Sequence, residues 1–427
     1  MTRLLPWTVA LCLAIEASPP ALGAEPTFRV SEGGAEARNG LSLDQALTAL
    51  QSRLADPDPR GLWVFEQTDA RPLPAPPRMV LLTNGDRIPA DDITLADDRL
   101  TATIDNVGVP QTLEWPLEAV RGVLLPASLE TGRPRLARLL EGPGLPDDTL
   151  LLEGRDRVAG EIVEATTEEI RVNAPSGAVE VASNRVRAYA LSRALWRENS
   201  SPTAVLVITT HGAIHSAKSA VVRGARVTLH CEDAGDVVIP IHAVARLTSY
   251  GQDVRDATQL PRDEATATPY LPARTPASAA TVRRLFGAIP RPPVLANRHY
   301  DGGLLQVRGR TYARGFGVFS GTALRLRVPE GAERFRATIG IDDAADGGGA
   351  AIFRVLADDR EIWRSNVQTG RDAAAEVDIP TGGATTFTLA VDYGPGGDVL
   401  DLADWCEPVF VLESGFGDEA AAVLTKP

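Results

Sequence analysis

Short strand-like segments crowd the last third of the chain, at 304–307, 316–319, 323–328, 334–341, 350–357, 362–363, 375–379, 385–392 and 408–412, nearly all bounded by Gly, Pro or Asp. That many strands in about 110 residues predicts a two-sheet β-sandwich. Phe335, Ala337, Ile339 and Ile341 alternate cleanly, so one face of their segment is expected to be core.

Upstream, one pattern recurs three times. Val80 to Ile88 reads strand, Asn84-Gly85 turn, strand, and closes through Trp115-Pro116-Leu117 into Val120 and Leu124. A second copy starts at Leu150 and closes through Val179-Glu180-Val181 to Val186; a third starts at Val205, turns at His211-Gly212, and closes through Ile239-Pro240-Ile241 to Val244. The spacings are similar: Ile88 to Val120 is 32 residues, Val158 to Val186 is 28, and Ile214 to Val244 is 30. Two readings fit, three diverged copies of a small β-meander or open barrel, or three unrelated hairpins. Either way the fold class is all-β.

The remaining segments divide the chain. Arg3, the apolar run from Leu4 to Ile15 and the small residues Ala21, Gly23 and Ala24 read as a signal peptide over 1–24, which implies a secreted or periplasmic protein. Residues 25–77 hold a loose polar stretch (28–40), a helix capped by Ser42 and a proline-rich hinge (72–77). The β repeats occupy 78–127, 147–193 and 203–250. A Pro/Ala/Thr/Arg-rich linker, with a short helix near 280–286, spans 251–293. The sandwich follows at 294–414 and a tail at 415–427. No stretch approaches the roughly 20 apolar residues of a membrane span. The net charge of −13 argues against nucleic acid as a partner, because an acidic surface gains nothing from counterion release. Cys231 and Cys406 are expected to be unpaired thiols. His211, His215, His230 and His242, with Cys231, match no standard metal spacing and read as surface or turn residues.

Two carboxylate clusters stand out in the sandwich. Asp401, Asp404 and Trp405 supply hydroxyl partners and an aromatic face within five residues, and Trp363 offers a second aromatic. Those are the groups a sugar site needs. The alternative is that Trp405 is core and the two aspartates cap turns. Asp342, Asp343 and Asp346, beside Gly347-Gly348-Gly349, could hold calcium through oxygen or form a solvated acidic loop. No residue is assigned a catalytic role.

Gly315 to Ser320, Arg334 to Asp343, Phe353-Arg354-Val355 and Asp401 to Trp405 together resemble the NPCBM family of carbohydrate-binding modules over roughly a quarter of the chain. The resemblance implies a jelly-roll-like sandwich of the kind found on secreted glycoside hydrolases and exported bacterial proteins. It also implies galactose-type sugars as ligands and a structural calcium in some members. This chain departs from the family at Phe319, where His is common. The expected function is therefore an exported, non-catalytic binder of a glycan or polysaccharide, with the repeats as scaffold. The competing expectation is a cell-envelope module that has lost sugar binding and docks a protein partner.

Overall fold

The computed structural model describes residues 26–32, 37–68, 77–126, 144–153, 156–197, 203–263, 265–268, 294–300 and 303–413, with Ala70, Leu136, Leu139 and Leu140. The signal peptide, most of the proline-rich hinge, the helix near 280–286 and the tail lie outside the described residues.

The three β units share one plan. Each opens with a strand (Arg78–Leu82, Thr149–Leu152, Val205–Thr209), runs through a three-strand meander, and makes a single 3-10 turn (Leu117–Ala119, Ser183–Arg185, Ile241–Ala243). A closing strand then returns to pair with the opener (Val120–Leu124, Val186–Ala190, Val244–Tyr250). In all three the opener–closer register slips at the opener's last residue, Leu82, Leu152 or Thr209. A bulge at the same place three times favours one repeated unit over three unrelated hairpins.

The units do not stand apart. Their opening and closing strands, with the second strand of each unit (Arg87–Ala90, Arg157–Ala159 and Ile214–Ala217), lie in one twelve-stranded sheet, and the meanders of the first two units meet through the pair Leu95↔Ala165. The apolar faces of all three merge into one core that includes Trp115, Tyr189, Val207 and Leu229. The third unit's side of the large sheet is extended by Leu62–Gln67, Phe28–Glu32 and Arg38–Leu41. That corrects the expectation of a loose 28–40 stretch. Phe28 and Val30 are buried against Phe65 because the partner strand is distant in sequence, a relation that local polarity does not report. The helix forms as expected, over Leu43–Leu54, with a capping box between Ser42 and Gln45 and with Ala46 and Leu50 buried.

The sandwich has two sheets. One orders Val294–Ala296, Gly315–Phe319, Leu402–Leu412, Ala332–Ile341 and Ala375–Pro380; the other orders Thr266–Ala267, Thr322–Arg327, Thr386–Tyr393, Ala350–Ala357 and Arg360–Arg364. Between them lie Phe316, Phe335, Phe353, Phe387, Phe410 and Trp405, each side chain contributing about 1.5–3 kcal/mol by burial. The stretch expected to be linker begins as part of this domain. Val254–Asp256 pairs with residues 409–411 of the long Leu402–Leu412 strand, and Thr266–Ala267 edges the second sheet. Residues 269–293 lie outside the described residues.

A bulge joins the sandwich to the β units. Arg336 pairs with Val409 and Thr338 with Cys406, so Glu407 and Pro408 together oppose Ala337. Glu407 takes a left-handed backbone (φ 46°) and points out of the sandwich toward Arg246 of the third unit. Around that contact Leu206, Ile208, Ile214, Tyr250, Val254, Ala313 and Val409 form a separate apolar cluster. Arg314 crosses the same junction to Ser216 Oγ (3.1 Å), whose hydroxyl and amide are donated to Asp86. Cys231 and Cys406 are not joined in a disulfide.

Candidate functional site

Five strand ends meet at one rim of the sandwich, at Phe319, Ile341, Ala350, Tyr393 and Leu402. The two carboxylate clusters noted in the sequence both fall here, but most of their members face inward. Asp342 caps the 3-10 turn at 343–345 by accepting from Ala344 N (2.8 Å), and its other oxygen accepts from Gln306 N (2.9 Å). Asp343 accepts from Arg308 N (2.8 Å) and Gly309 N (2.6 Å), which pins the Leu305–Val307/Arg310–Tyr312 hairpin to the rim. Asp346 is exposed, in a left-handed conformation (φ 49°). The oxygens of Asp342 and Asp343 thus serve backbone N–H groups, and among the described residues no three His, Cys, Asp or Glu side chains come together as a metal site. Of the three expected calcium ligands, Asp342 and Asp343 have oxygens engaged by backbone amides, and Asp346 is exposed.

The expected sugar-binding trio is sealed in. Trp405 is 1% exposed and meets the Phe353 ring edge-on at 5.3 Å, with Phe335 on its other side. An indole so enclosed packs the core and cannot cover a sugar ring, because its face has no access to solvent. Asp401 accepts from Ala350 N (2.8 Å) and so fastens one sheet to the other at the rim. Asp404 is 0% exposed, and no donor among the described residues reaches either of its oxygens. Burial first, and the Asp342 charge second, push the Asp404 carboxyl well above the ordinary carboxylate range. Burial likewise raises Asp401. Trp363 sits on the second sheet's edge strand opposite Val355, toward the far end from Ala350, and does not join the rim.

Phe319 and several residues that the sequence reading passed over occupy the accessible part of the rim. Phe319, at the position where the family commonly has His, packs against Tyr300 with ring centroids 5.2 Å apart and planes inclined at 44°. Both rings are partly exposed. His299 lies behind them, its Nδ1 4.0 Å from Asp342 Oδ1. Across the rim the 394–400 loop presents Val399 and Leu400, 66% and 49% exposed. The glycine triplet lets this loop approach: a Cβ on Gly349, which is at φ +77°, would come within 2.2 Å of the Leu400 carbonyl oxygen. Tyr300 follows a proline-rich stretch and has no periodic pattern around it, so only its closeness to Phe319 in space marks it out.

Residues 283–411 match the NPCBM/NEW2 domain. This NPCBM/NEW2 region is 32% identical over 114 residues to a Renibacterium salmoninarum protein named "Putative endo-alpha-N-acetylgalactosaminidase", covering 27% of this chain and 8% of that one. It is 32% identical over 132 residues to alpha-1,3-galactosidase B of Akkermansia muciniphila, covering 30% of this chain and 16% of the relative. The chain therefore spans less than a fifth of the length of either enzyme. Among solved structures, CBM51 from Clostridium perfringens GH95 in complex with methyl-galactose is 17% identical, with 37% of this chain and 99% of that one covered at a TM-score of 0.29. CBM51-2 with GlcNAc and the INT domains of Clostridium perfringens ZmpB is also 17% identical, with 48% and 42% covered at a TM-score of 0.31. The likeness to known proteins is therefore to the NPCBM/NEW2 domain over residues 283–411, and no helix among the described residues is long and apolar enough to cross a membrane.

Proposed function

We propose that this is an exported, non-catalytic glycan-binding protein whose NPCBM/NEW2 sandwich receives a saccharide at its rim, with the three β units as a rigid mount. The observation that carries this reading is the partly exposed Tyr300–Phe319 pair at the rim of the matched domain. Aromatic faces cover the C–H side of a sugar ring, and these two stand where the sealed Trp405 cannot. Asp342, Asp343 and Asp401 are committed to backbone amides and Asp404 is buried, so none of these four offers the accessible carboxyl that hydrolysis needs.

The test is a glycan array probed with the full chain, followed by titration of the best ligand. Phe319→Ala and Tyr300→Ala are each expected to weaken binding by about tenfold while circular dichroism stays unchanged. A folded chain that captures no glycan, or variants that titrate as wild type, would overturn the site.

The exposed pair Val399 and Leu400 favours a second reading, an envelope module that docks a protein. Under it the array is silent, and Leu400→Asp abolishes capture of the partner.

A further inference from the structure

Where two β units meet, corresponding strands meet. The first and second units join closer to closer, Val120–Leu124 with Val186–Ala190, and first meander strand to first meander strand, through Leu95↔Ala165. The first and third units join second strand to second strand, through Arg87↔Ile214. Their third meander strands, Pro110–Pro116 and Gly235–Pro240, also meet: the Gln111 amide accepts from Val238 N (2.8 Å) and donates to Val238 O (2.7 Å). Beyond the third unit, its closer pairs with Leu62–Gln67, which pairs in turn with Phe28–Glu32 as a closer does with an opener. Because the paired strands are antiparallel, each contact relates its two units by an approximate two-fold axis. The second unit has used one joining face only. Its second strand, Arg157–Ala159, ends the twelve-stranded sheet, and its third meander strand, Gly177–Ala182, ends the sheet of the first two meanders. Those are the two strands by which the first and third units hold each other.

We propose that this open face of the second unit binds the same face of a second copy of the chain about a two-fold axis, so that the assembly carries two sandwiches. Gly177–Ala182 pairs with Glu169–Ala174 at all six positions without a slip, and it holds no proline and no Lys or Arg. Its one charge, Glu180, lies opposite Arg171. Other edges are blunted. Pro110–Pro116 begins and ends in proline, Ala375–Pro380 ends in proline and carries two carboxylates, and Arg360–Arg364 carries three charges and a slip. A regular edge without such guards is a template for another strand. Glu180 stands three residues before the 3-10 turn at Ser183–Arg185, as Val238 stands three before Ile241–Ala243. Its peptide group therefore points out of the sheet, as that of Val238 points to Gln111. The second strand tempers the contact. Arg157 opposes Leu151 as Arg87 opposes Leu81 and Ile214 opposes Ile208, so about the two-fold axis it meets its own copy. The first and third units set Arg against Ile there; the two copies set Arg against Arg, a like-charge pair that keeps the association reversible. The contact draws on none of the rim residues and does not depend on the reading of the rim.

The experiment is sedimentation equilibrium of the full chain over a concentration series at low and high salt. It compares wild type, Glu180→Pro, Ala178→Lys and Arg157→Ile, with folding checked by circular dichroism. The mass should rise from one chain to two with concentration, and more readily at high salt, which screens the arginine pair. Glu180→Pro removes the outward N–H, and Ala178→Lys puts a charge at an exposed edge position. Each is expected to weaken pairing by about tenfold or more. Arg157→Ile, which copies Ile214, should tighten it by about threefold. A mass of one chain throughout the series, or pairing that Glu180→Pro and Ala178→Lys both leave intact, would overturn the proposal, as would a looser dimer in Arg157→Ile. Mass is read without sugar, so a silent glycan array bears on the rim and not on this face.

Discussion

Glu407 receives the Arg246 guanidinium side-on, Nε to Oε1 at 3.1 Å and Nη2 to Oε2 at 2.5 Å, across the junction between the sandwich and the third β unit. Thr248 Oγ1 donates to the same carboxylate (3.1 Å), and Glu66 lies 3.4 Å from the other guanidinium nitrogen. Arg246 also rests over the Tyr312 ring at 4.9 Å. Burial works against the Arg246 charge, but Glu407 and Glu66 outweigh it, so the guanidinium is held more firmly protonated than in water. The contact fixes the sandwich to the third β unit.

Removing one partner of that pair leaves a buried charge uncompensated. Glu407→Ala is expected to lower unfolding stability by about 3–5 kcal/mol, read from the urea midpoint. Arg246→Met with Glu407→Leu should recover most of the loss, because an apolar pair of similar volume avoids the desolvation cost. Wild type should unfold in one transition by fluorescence and circular dichroism alike. Two separated transitions would show that the sandwich folds independently of the junction.

Trp405→Ala should act on the core. The expected cost is about 3–5 kcal/mol, with Trp405→Phe much milder. At temperatures where Trp405→Phe is folded, its glycan affinity should equal that of wild type, since the indole faces Phe353 and Phe335. A folded Trp405→Phe with affinity reduced tenfold would put the indole back in the site.

Asp404 makes stability depend on pH in a set direction. Its folded-state pKa is raised, so the native chain keeps a proton that the unfolded chain releases near pH 4. The stability this group contributes is fully present below that point and is lost as pH rises through the folded value. Asp404→Asn cannot ionise, and it should gain on wild type steadily from about pH 4 upward in urea titrations. Parallel pH profiles for the two proteins would contradict the buried, protonated carboxyl.

Chelation supplies a fourth check. With Asp342 and Asp343 committed to the amides of residues 306, 308, 309 and 344, EDTA should leave Tm unchanged. A fall of several degrees, reversed by calcium, would show that the rim rearranges around a cation.

Much of the architecture is legible in the residues. The turn at Asn84-Gly85, the alternation through Phe335 to Ile341 and the Ser42 cap each follow from local chemistry, and each is found where that chemistry puts it. The site was legible only as a neighbourhood. Asp401, Asp404 and Trp405 belong to the rim by sequence position, yet burial, which sequence position does not encode, turned the indole and both carboxyls inward. Strand Val254–Asp256 was hidden for a similar reason: three residues carry no periodicity, and they are extended because they pair with residues 409–411 of the long strand.

By itself the sequence determined an all-β chain with a recurring strand–turn–strand pattern and a terminal sandwich, because turn residues and period-two alternation act over a few neighbours. Tertiary structure alone decided that the units share one sheet, that Tyr300 meets Phe319, and that Arg246 finds Glu407 161 residues away. Those are contacts between surfaces that exist only after folding, and no local preference along the chain specifies them.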